Sequence, residues 1–405
     1  MSKDSSKMWI IISLLSLVTV AVLGVIMRYK IAFSFPFLNQ KNLQYAHSHF
    51  AFAGWITQTL FLFMTQLLKN QIPNEKLRYY ENLLWANWIT ALGMLFSFMF
   101  QGYALYSILF SSLSIVISFM FGLSYWYDSK YLSNHIVGQW FRWAIFFMLL
   151  STIGTFSLSF MMISRNIQQH TYLASVYWYL HFQYNGWFFF VCMGLIYNLL
   201  GNGHAYFTTN KWTLRLIGFT CIPAYGLSIL WMKLPFWVEM LIAIAAVLQA
   251  LGWAIILINL NKISFLKTVT SIRLLKWFLI IIAIAGSIKF ILQLGSTIPA
   301  VSQLAFGFRS IVIAYLHLVL LVFISLFLLV YTYLSKISSF NRFALVGMVV
   351  FVLAILSNEL LLGIQGIASV AYILVPWINE MLFLVSLFIL IGIGIILYSK
   401  FRKSY

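Results

Sequence analysis

The side chains of this sequence best placed to do chemistry are histidines, because imidazole carries protons near neutral pH and is the commonest metal ligand. Of the seven, His135, His170 and His204 fall in or beside polar breaks, where a ring nitrogen needs no special reason. His47, His49, His181 and His317 lie inside long apolar runs. An ionisable group there is costly and is a functional suspect by default. His47 and His49 are two residues apart, about 200° around a helix, so they cannot both face one flat ligand. The His47 face continues through Ala51, Gly54 and Gln58, small side chains that predict room for a planar macrocycle. His49 shares its face with Phe52, Ala53 and Ile56, an ordinary packing surface, so His47 is the expected ligand and His49 an accessory contact.

The elements that must hold these rings follow from composition. Of 405 residues, 63% are apolar and only 8% charged; a soluble protein has roughly 45–50% and about 25%. A water-soluble domain and a disordered chain are both excluded, and the bilayer is the expected solvent. Cys192 and Cys221 sit in apolar stretches without a metal or disulfide spacing, so neither a thiolate site nor a disulfide framework is indicated. The N-terminal run from Trp9 to Ile26 imitates a signal peptide, but it is long and no small-x-small cleavage motif follows. It reads as a retained first span.

A hydrocarbon core of about 30 Å needs around 20 apolar helical residues. That ruler predicts an all-α polytopic protein of about twelve spans in one transmembrane domain over residues 1–405, at 8–28, 43–68, 80–103, 107–127, 139–163, 171–200, 212–231, 236–260, 274–294, 304–334, 341–363 and 377–399. No loop is long enough for a separate domain, and no internal repeat divides the chain into halves. With the N-terminus inside, 18 of the 25 lysines and arginines fall on the inner side. Only Arg28, Lys30, Lys41, Arg165, Lys233, Lys289 and Arg309 fall outside. This bias predicts both termini cytoplasmic, and it explains the net charge of +18 without a nucleic-acid partner.

The histidine-bearing spans are the second, sixth and tenth, so all three run from outside to inside. His47 precedes Leu68 by 21 residues, His181 precedes Leu200 by 19, and His317 precedes Leu334 by 17. At 1.5 Å per residue these are heights of roughly 32, 28 and 26 Å, one level near the outer face. The plainer role for any one intramembrane histidine is a hydrogen bond to a neighbouring helix. Three at one depth favour a shared ligand.

Twelve spans, both ends inside, and histidines on spans 2, 6 and 10 at the outer level together resemble the catalytic subunit I of heme–copper oxidases and nitric oxide reductases. The likeness covers the whole chain in topology and short segments in sequence: Tyr45-Ala46-His47-Ser48-His49 on span 2, Tyr179-Leu180-His181-Phe182-Gln183-Tyr184-Asn185 on span 6, and Ala314-Tyr315-Leu316-His317 on span 10. The resemblance implies a bundle of that fold, with His47 and His317 as axial ligands of a low-spin heme of b type. It also gives Arg309 a place beside the heme propionates, although a snorkelling arginine at the interface fits the same position. His181 takes the place of a copper ligand, and His49 of a second metal or heme contact.

The chain departs from the family pattern in three ways. Tyr315 stands where the high-spin heme ligand would be, a position that a hydrogen-bonded structural tyrosine also fills. The seventh span has no histidine, and one imidazole holds copper weakly, so the binuclear centre reads as incomplete. Tyr184 lies at spacing three from His181, whereas the cross-linked tyrosine of oxidases lies at spacing four, here Asn185. What the resemblance implies is an electron-transfer, nitric oxide or oxygen-related respiratory role in a bacterial inner membrane, with a cytochrome donor or respiratory subunits as partners and no catalytic residue assigned. An NnrS-type heme and copper membrane protein is an equally close likeness. From other classes, a secondary transporter or an assembly subunit remains open, since twelve spans with both ends inside is also a common transporter plan.

Overall fold

In the computed structural model, described here for residues 3–33, 35–201, 211–337 and 341–401, the regular structure is entirely helical. Ten helices among the described residues are long and apolar enough to cross a membrane. They are α1 (Lys3–Phe33), α2 (Gln40–Leu68), α3 (Asn74–Gln101), α4 (Leu105–Asp128), α5 (His135–Ile163), α8 (Phe236–Lys262), α9 (Arg273–Gly295), α10 (Arg309–Leu334), α11 (Arg342–Val370) and α12 (Ile378–Tyr398). The segment counted as α6 runs helically over residues 169–200, with Gln183 and Asn185 diluting its apolar middle. The chain is an integral membrane protein with lipid-facing helices.

One expected span is corrected. In place of a continuous helix over 212–231, α7 covers only Lys211–Cys221, and a tighter 3-10 turn follows over Pro223–Ser228. Proline lacks the N–H that an α-helix would pass back to the carbonyl four residues earlier, so Pro223 ends the helical ladder within the apolar stretch. Glycine then lets the turn lie close against α8: a Cβ at Gly226 would sit 2.3 Å from Ile242.

The contacts divide the chain into two units, residues 1–124 with 331–405, and residues 125–330. In the first, α1 packs on α2 and α12, α11 on α12, and α2 on α3. In the second, α5 packs on α6, α7 on α8, α8 on α9, and α9 on α10. Small residues set the closest approaches within each. A Cβ at Gly392 would come within 2.6 Å of the Phe351 backbone, and one at Gly154 within 2.5 Å of the Ser175 carbonyl.

Three helices share a distortion. Residues 51–57 of α2, 182–188 of α6 and 318–325 of α10 are π-helical, and each is the second helix in a run of four along the chain. A π-turn adds a residue to the α-ladder and is frequent at functional sites. These turns start within two residues of His49 and directly after His181 and His317.

Because Gly154 lets α5 meet the N-terminal part of α6, Gly154→Ala must push the two backbones apart. We expect a loss of about 1–3 kcal/mol, as for other overpacked cores, visible as a lower unfolding temperature in detergent. Gly363→Ala, where an added Cβ meets open space, should leave that temperature unchanged.

Candidate functional site

Within the first unit, α2 brings its two histidines to different surroundings. His47 Nδ1–H donates to the Val20 carbonyl of α1 at 3.1 Å. That bond makes Nε2 the lone-pair nitrogen, the tautomer of a metal ligand oriented by a second hydrogen bond. His49 lies flat on Phe98, with ring centroids 4.2 Å apart, and its Nε2 shares a 2.9 Å hydrogen bond with the Tyr103 hydroxyl. It is built into an aromatic clamp between α2 and the α3–α4 turn.

The sequence reading of the His47 face needs correction. The space at Gly54 is filled by the Phe50 ring, 2.6 Å from where a Cβ would stand. Gln58 is buried and turned toward α3, donating to the Leu84 carbonyl at 3.2 Å and accepting from Asn87 Nδ2 at 2.7 Å. The π-turn over 51–57 rotates the residues after it relative to a regular helix, so His47, Ala51, Gly54 and Gln58 do not form one open stripe. Asn87 also donates to the Ala53 carbonyl at 3.1 Å, which ties α3 to the π-turn itself.

Within the second unit, α6, α7, α9 and α10 enclose a polar seam that starts at the α7 break. His181 is buried, and its Nε2–H donates to the Cys221 carbonyl, 2.9 Å away, at the point where α7 stops. Its Nδ1 accepts from Asn185 Nδ2 at 3.1 Å. Both ring nitrogens are therefore committed, and the Cys221 Sγ lies 3.8 Å from Nε2. The Tyr225 hydroxyl of the 3-10 turn donates to the Ala174 carbonyl at 2.9 Å, closing the turn onto α6 a second time.

Along the same seam, the Tyr184 hydroxyl is hydrogen bonded with Tyr315 and Ser228. Tyr315 thus stands as a hydrogen-bonded tyrosine, with its ring centroid 6.3 Å from that of Tyr184. His317, two residues on, donates from Nδ1–H to the Ile313 carbonyl at 2.9 Å, again making Nε2 the basic nitrogen. Arg309 opens α10 and is exposed.

Sequence reasoning placed Lys289 among the outer charges, but it is 2% exposed and points into the seam. Its ammonium donates to Gln293 Oε1 at 2.9 Å, lies 3.9 Å above the Phe290 ring, and acts electrostatically on Cys221 and His181. Lys289 lies six residues before the end of α9 and is turned inward, toward Gln293 and the Phe290 ring.

Among the described residues no group of three or more His, Cys, Asp or Glu side chains converges as a metal cage. His204 lies outside the described residues. His47 belongs to one unit and His317 to the other, and each is described within its own. No protein-family model matches the chain, and no curated protein matches it significantly.

The His181 bond to Cys221 generates a prediction. An unpaired carbonyl in an apolar interior costs about 1–3 kcal/mol in proteins. His181→Phe should therefore raise amide hydrogen exchange across residues 221–228 about tenfold or more, whereas His170→Phe should not change it.

Proposed function

We propose that the protein is a membrane hemoprotein of the heme–copper oxidase kind, in which His47 and His317 supply the axial imidazoles of a low-spin, b-type heme. The observation that carries this reading is the matching state of the two rings. Each donates its Nδ1–H to a backbone carbonyl, Val20 for His47 and Ile313 for His317. This is the second-shell pattern that fixes ring orientation and raises basicity in metal-binding histidines. The π-turns beside the histidines of α2, α6 and α10 support the reading from the backbone.

The donor set suits the group: two neutral imidazoles on apolar helices. A heme held by these two residues would supply one-electron transfer. The chain's own residues then have plain tasks. Val20 and Ile313 orient the rings, the apolar helices exclude water, and Arg309 provides a cation for acidic propionate groups. His181 braces the α7 break, and Tyr184 and Tyr315 stand side by side along the same seam, ring centroids 6.3 Å apart. The function in view is electron transfer or a nitric oxide- or oxygen-related respiratory role, in a bacterial inner membrane with cytoplasmic termini and with a cytochrome or respiratory subunit as partner. Copper has no assigned place in this scheme.

A second reading, a solute transporter, is favoured by the broken α7 beside the buried Lys289. Discontinuous helices and intramembrane charges mark substrate sites in such proteins.

The two are separated by absorption spectroscopy of the purified chain from heme-replete cells. The hemoprotein reading expects a low-spin Soret and α-band pair that His47→Ala and His317→Ala each abolish and His170→Ala retains. A colourless wild-type protein, or equal loss in all three variants, would count against it.

A further inference from the structure

A second concave site lies in the unit of residues 125–330, at an end of the helices rich in lysine and arginine. The turn after α4, the first two turns of α5 and the start of α7 line a hollow of about 270 Å³. It is lined by Ser129, Lys130, His135, Gln139, Arg142 and Lys211. His135, Gln139 and Arg142 follow the i, i+4, i+7 spacing of one helical face, so α5 presents all three to the same side. Lys130 and Lys211 reach that side from two other elements.

Three positively charged residues, Lys130, Arg142 and Lys211, therefore line one hollow, and no carboxylate lines it; the Lys130 ammonium also lies 5.0 Å over the Tyr131 ring. Asp128, the nearest acid in sequence, is buried and does not line the hollow. The charge bias of loops scatters lysines and arginines over a surface; it does not gather them from three elements into a concavity, where they repel one another. An anion relieves that repulsion.

The geometry is also prepared for a particular kind of anion. Arg142 Nε donates to Ser129 Oγ at 2.8 Å, and Ser129 Oγ donates to the Trp126 carbonyl at 2.7 Å. A guanidinium carries five donors, and among the described residues only Nε is committed. The arginine is thus held at one edge, with its remaining N–H groups available for tetrahedral oxygens. Gly138 keeps the hollow tight, since a Cβ there would stand 3.2 Å from the Ser129 carbonyl. The α5 amino terminus, capped by Asn134 on the Ile136 N–H at 3.1 Å, adds a favourable dipole.

We propose that this hollow binds a phosphate group, carried by an anionic phospholipid headgroup or by free phosphate. Arginine's planar fork and the two lysines recognise the same oxygens in either case.

The test uses the full chain in nanodiscs. Binding is read as the rise in unfolding temperature with inorganic phosphate in neutral phosphatidylcholine discs, and as phosphatidylglycerol retained in native mass spectra from mixed discs. We expect one of the two arms to respond in the wild type. Stabilisation by phosphate alone assigns a soluble ligand; retention of phosphatidylglycerol assigns a lipid. The double variant Lys130→Gln/Lys211→Gln, in exposed positions, should weaken the responding arm about tenfold or more. Arg142→Lys, which keeps the charge but loses the fork, should weaken it too. The control pair Lys267→Gln/Lys276→Gln, basic but outside the hollow, should change nothing. The proposal is overturned if neither arm responds in the wild type, if the double variant binds as tightly, or if the control pair loses as much.

Discussion

In a hydrocarbon interior, a carbonyl that finds no donor within the protein costs several kcal/mol, because no water can serve it. That constraint organises the inner polar chemistry of this chain. His47, His181 and His317 each spend one ring nitrogen on a backbone carbonyl. His181 also accepts from Asn185 at its other nitrogen and braces the broken α7. At His47 and His317 the carbonyl bond sets the tautomer, with the ring proton on Nδ1.

The polar residues nearby are explained by similar needs. Asn87 and Gln58 tie α3 to the π-turn of α2. Tyr225 and His181 together close the α7 break onto α6. Lys289 is the exception. Gln293 and two aromatic rings are the neighbours of its ammonium, and bracing does not require a cation there.

Most of the helical plan was legible in the sequence because lipid imposes it. The histidine-bearing helices end at Leu68, Leu200 and Leu334, where the apolar runs end. The α7 break was less visible, since an average over twenty apolar residues hides a single proline, yet Pro223 inside the run was a readable stop. The π-turns have no comparable signature. Gly54 and Gly186 lie in two of them, but the stretch 318–325 has no glycine. A face drawn at 3.6 residues per turn therefore misplaced Gly54 and Gln58 against His47. The two rings differ in their surroundings: His47 is hydrogen bonded to a backbone carbonyl, and His49 is stacked on Phe98. The resemblance of the histidine pattern to heme–copper oxidases remains a likeness of spacing and topology.

The central claim is that two imidazoles bind one iron through Nε2. Near-infrared magnetic circular dichroism of the oxidised wild-type protein, with iron and heme quantified on the same sample, tests it most directly. The account predicts one low-spin bis-imidazole heme per chain, with the charge-transfer band of that ligation. A heme-free chain, or a heme with a tyrosinate or high-spin signature, would contradict it.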